Sequence, residues 1–163
     1  MNNRTYEQSI YFDADILINY FADQNIRKHA KKAKEISRHA KKVIHQARKM
    51  CKNPEIIIKV PLIVLGELTM ETIEQDGITL SSLFGRVIDA EFTSGSRDSY
   101  KIASELMGKD DRLTPADALL VAQALTNKTS EWLITTDGNL INNLAISKIK
   151  DKLGSGLKIS DRF

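Results

Sequence analysis

The chain has 163 residues, of which 42% are hydrophobic and 28% charged, and this composition predicts a single folded domain, residues 1–163, with a sizeable core. Cys51 is the only cysteine, which excludes an internal disulfide and a cysteine-rich zinc site. No apolar run approaches the roughly 18 residues that span a bilayer, so we expect a cytoplasmic protein without a membrane partner.

The net charge of +3 conceals a division along the chain. Residues 27–52, a predicted basic helical segment, hold 11 of the 24 Lys and Arg but only 1 of the 21 Asp and Glu. The remainder therefore holds 13 bases and 20 acids, a net charge of −7. A basic segment on an acidic body suggests a protein that attracts an anion and also holds a cation.

The first predicted strand is an apolar run that begins at Ile10 and ends where Asp13 interrupts it. In a parallel α/β sheet the carboxyl ends of the strands border the crevice in which ligands bind, so Asp13 is a candidate to hold a metal ion or a substrate. The side chain of Asp15 is predicted to cap a helix from Ile16 to about Ala22. A supporting role in the site is the alternative for Asp15.

A long helix is predicted from Ile26 to Met50, because apolar side chains recur there every three or four positions with basic side chains around them. A positively charged helix face suits a phosphate backbone, although most charged runs are simply solvated. The basic residues that we expect to contact nucleic acid are Lys31, Lys32, Arg38, Lys41, Lys42 and Arg48.

The second predicted strand runs from Glu55 to Val60, and Pro61 is expected to lie in the first turn of the helix that follows. This helix should continue to about Gln75. It carries Glu67, which is either an ordinary surface glutamate or an acidic residue that shares the crevice with Asp13.

In the middle of the chain the apolar residues do not recur with a clear period. A helix is expected around Leu80 to Val87, and residues 91–97 are interpreted as a loop because Gly95 lies there between two serines. A further helix is predicted from Asp98 to Met107, with Gly108 as its end.

The start of the next helix has a clear signal. Thr114 is placed as the N-cap, Pro115 at the first helical position and Asp117 at the third. Residues 118–125 are apolar nearly all round, which predicts a helix buried against the sheet. Asp117 either closes a capping box or joins the acidic residues of the crevice.

The third predicted strand, Trp132 to Thr136, ends in Asp137 just as the first ends in Asp13. The tail is expected to hold a weak helix, a break at residues 154–156 and an edge strand from Leu157 to Ser160. Strands that alternate with helices predict a mainly parallel sheet covered on both faces, which is a three-layer α/β/α domain.

Four acidic residues could thus converge at one edge of the sheet: Asp13, Glu67, Asp117 and Asp137. When carboxylates lie close together, their mutual repulsion keeps some of them protonated unless a cation binds between them. Because these candidate ligands offer only oxygen, Mg²⁺ or Mn²⁺ is the expected metal. Phosphodiester hydrolysis is the chemistry that joins such an acidic pocket to a basic segment.

Four segments, in this order and setting, resemble those of PIN-domain ribonucleases, and within that family those of VapC-type toxins. They are Tyr11–Ile18, Val64–Leu68, Leu113–Ala122 and Leu133–Asp137. Each segment is short and unspecific alone, but the resemblance covers nearly the whole chain. It implies a three-layer α/β/α fold and a divalent-metal-dependent endoribonuclease.

The resemblance also implies residue roles and partners. Asp13, Glu67, Asp117 and Asp137 match the metal-binding and catalytic quartet, and Thr135 matches the hydroxyl residue that precedes the last aspartate and positions water or metal. The family often has Asn where Asp15 stands. An RNA substrate, a small antitoxin protein and a homodimer are the partners that the resemblance implies.

Other functions remain open at this point. An RNA-processing or repair nuclease and a non-catalytic RNA-binding scaffold would share the same fold. The segment Phe12–Asp15 also resembles the opening of haloacid-dehalogenase-type phosphatases, in which Asp13 would be the nucleophile and Asp15 the acid/base. That family has a late acidic pair, of which Asp137 supplies only one member.

Overall fold

The computed structural model describes residues 7–21, 31–74 and 88–163, with the side chains at 21, 31–33 and 69–74 left aside. The strands are β1 (Gln8–Phe12), β2 (Ile56–Pro61), β3 (Ala90–Thr93), β4 (Ser130–Ile134) and β5 (Lys158–Ser160). The helices are α1 (Ala14–Phe21), α2 (Lys31–Met50), α3 (Leu62–Glu74), α4 (Arg97–Lys109), α5 (Pro115–Thr126) and α6 (Leu144–Leu153). The predicted α/β class is confirmed, and the layering is consistent with a three-layer α/β/α domain.

The described strands form one parallel sheet in the order β3-β2-β1-β4-β5. The chain moves outward from β1 to β2 and β3, and then returns to the other side of β1 to form β4 and β5. The strand order therefore reverses between β1 and β4. Ligands of open parallel sheets bind at the carboxyl ends of the strands at such a reversal point.

The central strand β1 is buried on both faces. Ile10 and Phe12 lie on one face, Tyr11 lies on the other, and each is at most 2% exposed. Burying Ile10 and Phe12 stabilises the fold by about 1.5–3 kcal/mol for each side chain. The apolar run that predicted β1 thus reflects helices on both sides of the sheet.

The elements around β1 begin earlier or end later than expected. Helix α1 starts at Ala14 directly after the strand, so Asp15 lies inside its first turn and is not the cap. Strand β2 extends to Pro61, which was expected to begin the following helix but is instead the last strand residue before Leu62 opens α3. A proline fits there because a strand end can dispense with one amide donor.

Helix α2 confirms the predicted amphipathic pattern. Its buried face contains Ala40, Val43, Ile44 and Ala47, whereas the lysines and arginines from residue 34 onward are exposed. Residues 26–30, the first turn of the predicted helix, lie outside the described part of the chain.

Two predictions in the second third of the chain were wrong. Residues 91–97 were expected to be a loop, but β3 begins at Ala90 and continues to Thr93. This four-residue edge strand lacks an apolar run, so its pairing with β2 decides its conformation. Helix α4 passes through Gly108 and ends at Lys109, because no left-handed turn occurs at that glycine. The helix predicted around Leu80 to Val87 lies outside the described residues.

The last third follows the sequence closely. Thr114, Pro115 and Asp117 start α5 as predicted, with a complete capping box. Strand β4 ends at Ile134, two residues before the predicted end, and α6 terminates at Gly154, whose φ of 62° suits a glycine. In the described ranges, none of the helices combines the length and the apolar character that a bilayer crossing requires.

Candidate functional site

Asp13 follows β1 at the reversal point of the sheet, and its carboxylate is held between two segments. Its Oδ1 accepts a hydrogen bond of 2.7 Å from the amide of Ala14, and its Oδ2 accepts one of 2.8 Å from the hydroxyl of Thr135. Asp13 is 7% exposed and Thr135 is fully buried. The carboxylate is therefore oriented before any ligand binds.

The surroundings of Asp13 oppose its ionisation. Burial raises the pKa of Asp13 from 3.8 to about 7, and the charges of Asp15 and Asp117 add to the rise. The hydrogen bonds from Thr135 and Ala14 act in the opposite direction but do not offset it. A cation that binds beside such a buried carboxyl favours its ionised form and so lowers its pKa.

Asp15 links the ends of β1 and β4. Its Oδ1 accepts a 2.6 Å hydrogen bond from the amide of Ile16, and its Oδ2 accepts hydrogen bonds from the amide and the hydroxyl of Thr136, the former at 2.9 Å. Its charge also acts on Asp13 and on Glu67. The structure therefore places Asp15 within the acidic group and not merely at a helix start.

Glu67 and Asp117 approach the same rim from two helices. Glu67 is exposed on α3, yet the part of its side chain that lies against the protein, together with the charges of Asp117 and Asp15, raises its pKa. Asp117 lies in the first turn of α5, where its Oδ2 accepts hydrogen bonds of 2.6 Å and 3.3 Å from the hydroxyl and the amide of Thr114. The capping box and the acidic group thus share one carboxylate.

Asp137 is placed differently from the other three predicted ligands. Its amide donates to the hydroxyl of Thr135 at 3.0 Å, but its carboxylate accepts a 2.8 Å hydrogen bond from the amide of Asn139 in its own loop. The charges that raise the pKa values of Asp13 and Glu67 come from Asp15 and Asp117. Asp137 therefore contacts the site through Thr135 and not through its charge.

We use the name acidic rim for Asp13, Asp15, Glu67 and Asp117, because the charges of Asp15 and Asp117 raise the pKa values of both Asp13 and Glu67. They come from three separate parts of the chain, and their oxygen donors suit Mg²⁺ or Mn²⁺. Within the described residues, no three acidic, histidine or cysteine side chains are already gathered as a metal-binding group.

The basic helix presents a separate surface. Arg38, Lys41, Lys42 and Arg48 are exposed on α2, and together with Tyr20, Ile44 and His45 they line a groove of about 410 Å³. The side chains of Lys31 and Lys32 lie outside the described part. Of the histidines, His39 is tied by its Nε2 to the carbonyl of Asp161 at 2.7 Å, so it belongs to the packing of α2.

One residue of the site was not predicted from the sequence. Thr136 holds Asp15 through both its amide and its hydroxyl. The Thr135-Thr136-Asp137 sequence indicated a strand that continued through both threonines. The strand instead stops at Ile134, which frees the threonines to bond the two aspartates that follow β1.

No model of a known protein family matches the chain, and no curated protein sequence matches it. The resemblance to PIN-domain ribonucleases consequently depends on the four segments quoted above and on the placement of their acidic residues.

Proposed function

We propose that this protein is a divalent-metal-dependent endoribonuclease. The observation that supports it best is that carboxylates from three segments meet near the reversal point of the sheet, where the charges of Asp15 and Asp117 act on Asp13 and on Glu67. Proteins rarely crowd carboxylates without a partner, because each added charge raises the cost of ionising the others. A bound cation removes this cost.

Mg²⁺ or Mn²⁺ is the proposed metal, held by Asp13, Glu67 and Asp117 with Asp15 beside them. When bound, such an ion activates water and neutralises charge on a phosphoryl group. The chain itself supplies the orientation. Thr135 holds one oxygen of Asp13 and Thr114 holds one oxygen of Asp117, which leaves the second oxygen of Asp117 without a hydrogen bond among the described residues.

Asp137 remains part of the proposal as a member of the quartet that the resemblance implies. In the structure its carboxylate accepts a hydrogen bond from the amide of Asn139. Its backbone amide holds the Thr135 hydroxyl, so Asp137 also contributes by supporting the partner of Asp13.

RNA is the proposed substrate. The exposed bases of α2, with Lys31 and Lys32 at the start of that helix, provide the charge to bind a phosphate backbone. Because the helix and the acidic rim carry opposite charge, the helix would bind the strand while the rim acts on one phosphodiester. Cleavage is proposed to leave a 5′-phosphate.

A toxin of a toxin–antitoxin pair is the specific biological role that we propose, with a cytoplasmic location, a homodimer and a small antitoxin partner. A small reading frame directly upstream or overlapping, encoding a DNA-binding antitoxin, would favour this role. Its absence would favour an RNA-processing or repair nuclease. A phosphatase would use Asp13 and Asp15 but would leave Glu67 and Asp117 without a function, and a non-catalytic scaffold would show no turnover.

The test is RNA cleavage by the purified protein in Mg²⁺, Mn²⁺ or EDTA, with the variants Asp13→Asn and Asp117→Asn. We expect cleavage only with a divalent metal and a strong loss in both variants. Asp111→Asn, which changes an exposed aspartate outside the acidic rim, is the matched control and should cleave normally. Metal-independent cleavage, or full activity of both rim variants, would refute the proposal.

A further inference from the structure

A charged residue lies in the middle of a covered strand. Lys59 is the one charged side chain in β1 and β2, and its side chain is only 17% exposed. It pairs in register with Tyr11 on one side and Glu91 on the other, so the three side chains form a row on one face of the sheet. Strands buried on both faces are normally apolar throughout. The lysine therefore requires an explanation.

A polar pocket of about 220 Å³ lies over this row. Its walls come from the sheet, from the start of α4 and from the end of α5, and all its lining side chains carry a polar group. Those that matter most are Tyr11, Lys59, Thr93, Ser96, Gln123 and Asn127. We call this cavity the β3-side pocket. It lies on the opposite side of β1 from β4.

Hydrogen-bond donors in this pocket lack acceptors. Gln123 is 9% exposed, and its Oε1 accepts a hydrogen bond of 3.1 Å from the hydroxyl of Thr93, while its Nε2 bonds to no described residue. One amide hydrogen of Asn127 is used by the Tyr11 hydroxyl at 2.9 Å, and the other has no acceptor within the described chain. The Gln123 Nε2 is open to the pocket, because among the described residues the fully buried side-chain N and O atoms without a partner are the hydroxyl oxygens of Ser37 and Ser130. A ligand with several acceptor oxygens would satisfy the amide donors of Gln123 and Asn127.

The ion pair with Glu91 does not by itself explain why a charged side chain, that of Lys59, lies in this strand. The closest distance between the Lys59 ammonium and the Glu91 carboxylate is 3.6 Å, and the Glu91 side chain is 46% exposed. Such a loose, partly solvated ion pair contributes little to stability. It leaves two of the three ammonium hydrogens for another acceptor.

We propose that the β3-side pocket binds a phosphate group, with Lys59 supplying the charge and Gln123 a neutral hydrogen bond. The cavity is large enough for a phosphate with part of a sugar attached. The phosphate can be free or can belong to a nucleotide, and the experiment separates these two sources. The proposal does not depend on the nuclease function, because none of the residues involved belongs to the acidic rim.

The experiment follows the side-chain amide signals of Gln123 by NMR, in EDTA so that no metal occupies the acidic rim. Inorganic phosphate, a nucleoside 5′-monophosphate and the nucleoside alone are titrated in turn. We expect both phosphates to shift the Gln123 signals and to saturate on the order of millimolar concentration, whereas the nucleoside alone causes no shift. Tighter binding of the nucleotide would identify it as the source.

Two variants separate ligand binding from a structural ion pair. Lys59→Met keeps most of the length of the side chain but removes its charge, and it should weaken phosphate binding at least about tenfold. Glu91→Gln removes the competing carboxylate and should strengthen it. Lys158→Met is the matched control, because Lys158 has a similar 3.6 Å pair with Glu131 on the other edge of the sheet, and it should bind as the wild type does.

Three outcomes would overturn the proposal. They are a Gln123 signal that no phosphate shifts, an equal response to the nucleoside alone, and phosphate binding that Lys59→Met leaves unchanged. Should Lys59→Met fail to fold, Glu91→Gln decides, since a structural ion pair predicts lower stability and no gain in affinity.

Discussion

The carboxyl ends of β1 and β4 look alike in the sequence but differ in the structure. Each is an apolar strand followed by an aspartate. Asp13 comes directly after Phe12, is buried and has a raised pKa, whereas Asp137 comes three residues after Ile134 and bonds to its own loop. The two threonines between β4 and Asp137 instead bond Asp13 and Asp15.

This difference teaches that an aspartate at a strand end can be placed at the edge of the sheet from the sequence, but that the direction of its side chain cannot. Directly after a strand, a side chain is still held by the pleat and by the neighbouring strand. Three residues later the backbone has turned, and local hydrogen bonds decide where the carboxylate lies. The aspartate nearest the strand end should therefore matter more.

The largest expected effect is on catalysis. We expect Asp13→Asn to lower the rate of RNA cleavage by roughly 10³-fold or more and Asp137→Asn by about 10–100-fold, because Asp13 is buried among the acidic residues and Asp137 is not. Rates at saturating Mg²⁺ would be compared, with circular dichroism to confirm that both variants fold. A greater fall in cleavage rate for Asp137→Asn than for Asp13→Asn would contradict this ranking of the two aspartates.

The second expected effect concerns stability and pH in the absence of metal. The carboxyl of Asp13 releases its proton near pH 4 when unfolded, but its pKa in the folded protein is raised to about 7. The folded state therefore holds the extra proton between these values, and the free energy of unfolding falls as the pH rises through this window, by up to about 4 kcal/mol above it.

Urea denaturation of the wild type and Asp13→Asn in EDTA, at pH values from 4 to 8, isolates this contribution. The variant should be the more stable protein at pH 8, and Mg²⁺ should stabilise the wild type there by binding the folded state. An identical pH dependence of the two proteins would show that Asp13 ionises normally.

The smallest expected effect concerns the connection between the two strand ends. Thr135→Val should lower the free energy of unfolding by about 1–3 kcal/mol, because the oxygen of Asp13 and the amide of Asp137 lose their shared partner. Thr135→Ser keeps both hydrogen bonds and loses one buried methyl group, about 1 kcal/mol. Cleavage should be reduced in the valine variant and retained in the serine variant. Equal activity of the two would mean that the hydroxyl does not orient Asp13.

Much of the fold could be predicted because its signals are local. The apolar run before Asp13, the amphipathic pattern of α2 and the Thr114-Pro115-Asp117 start of α5 each reflect a periodicity or a cap that neighbouring residues create. Strand β3 was not predicted, because the four residues Ala90–Thr93 are too few to give a clear period and are held as a strand by pairing with β2. Gly108 was predicted to end α4, but the helix continues one residue beyond it to Lys109.

By itself the sequence determined that strands and helices alternate, that Asp13 ends a strand and that Asp117 begins a buried helix. Only the tertiary structure decided that Asp15 joins the acidic rim through Thr136, that Asp137 bonds the amide of Asn139 in its own loop, and that Lys59 faces a polar pocket. The physical reason is range: periodicity and caps act over a few residues, whereas these contacts join segments about 30 to 120 positions apart, which become neighbours only when the sheet assembles.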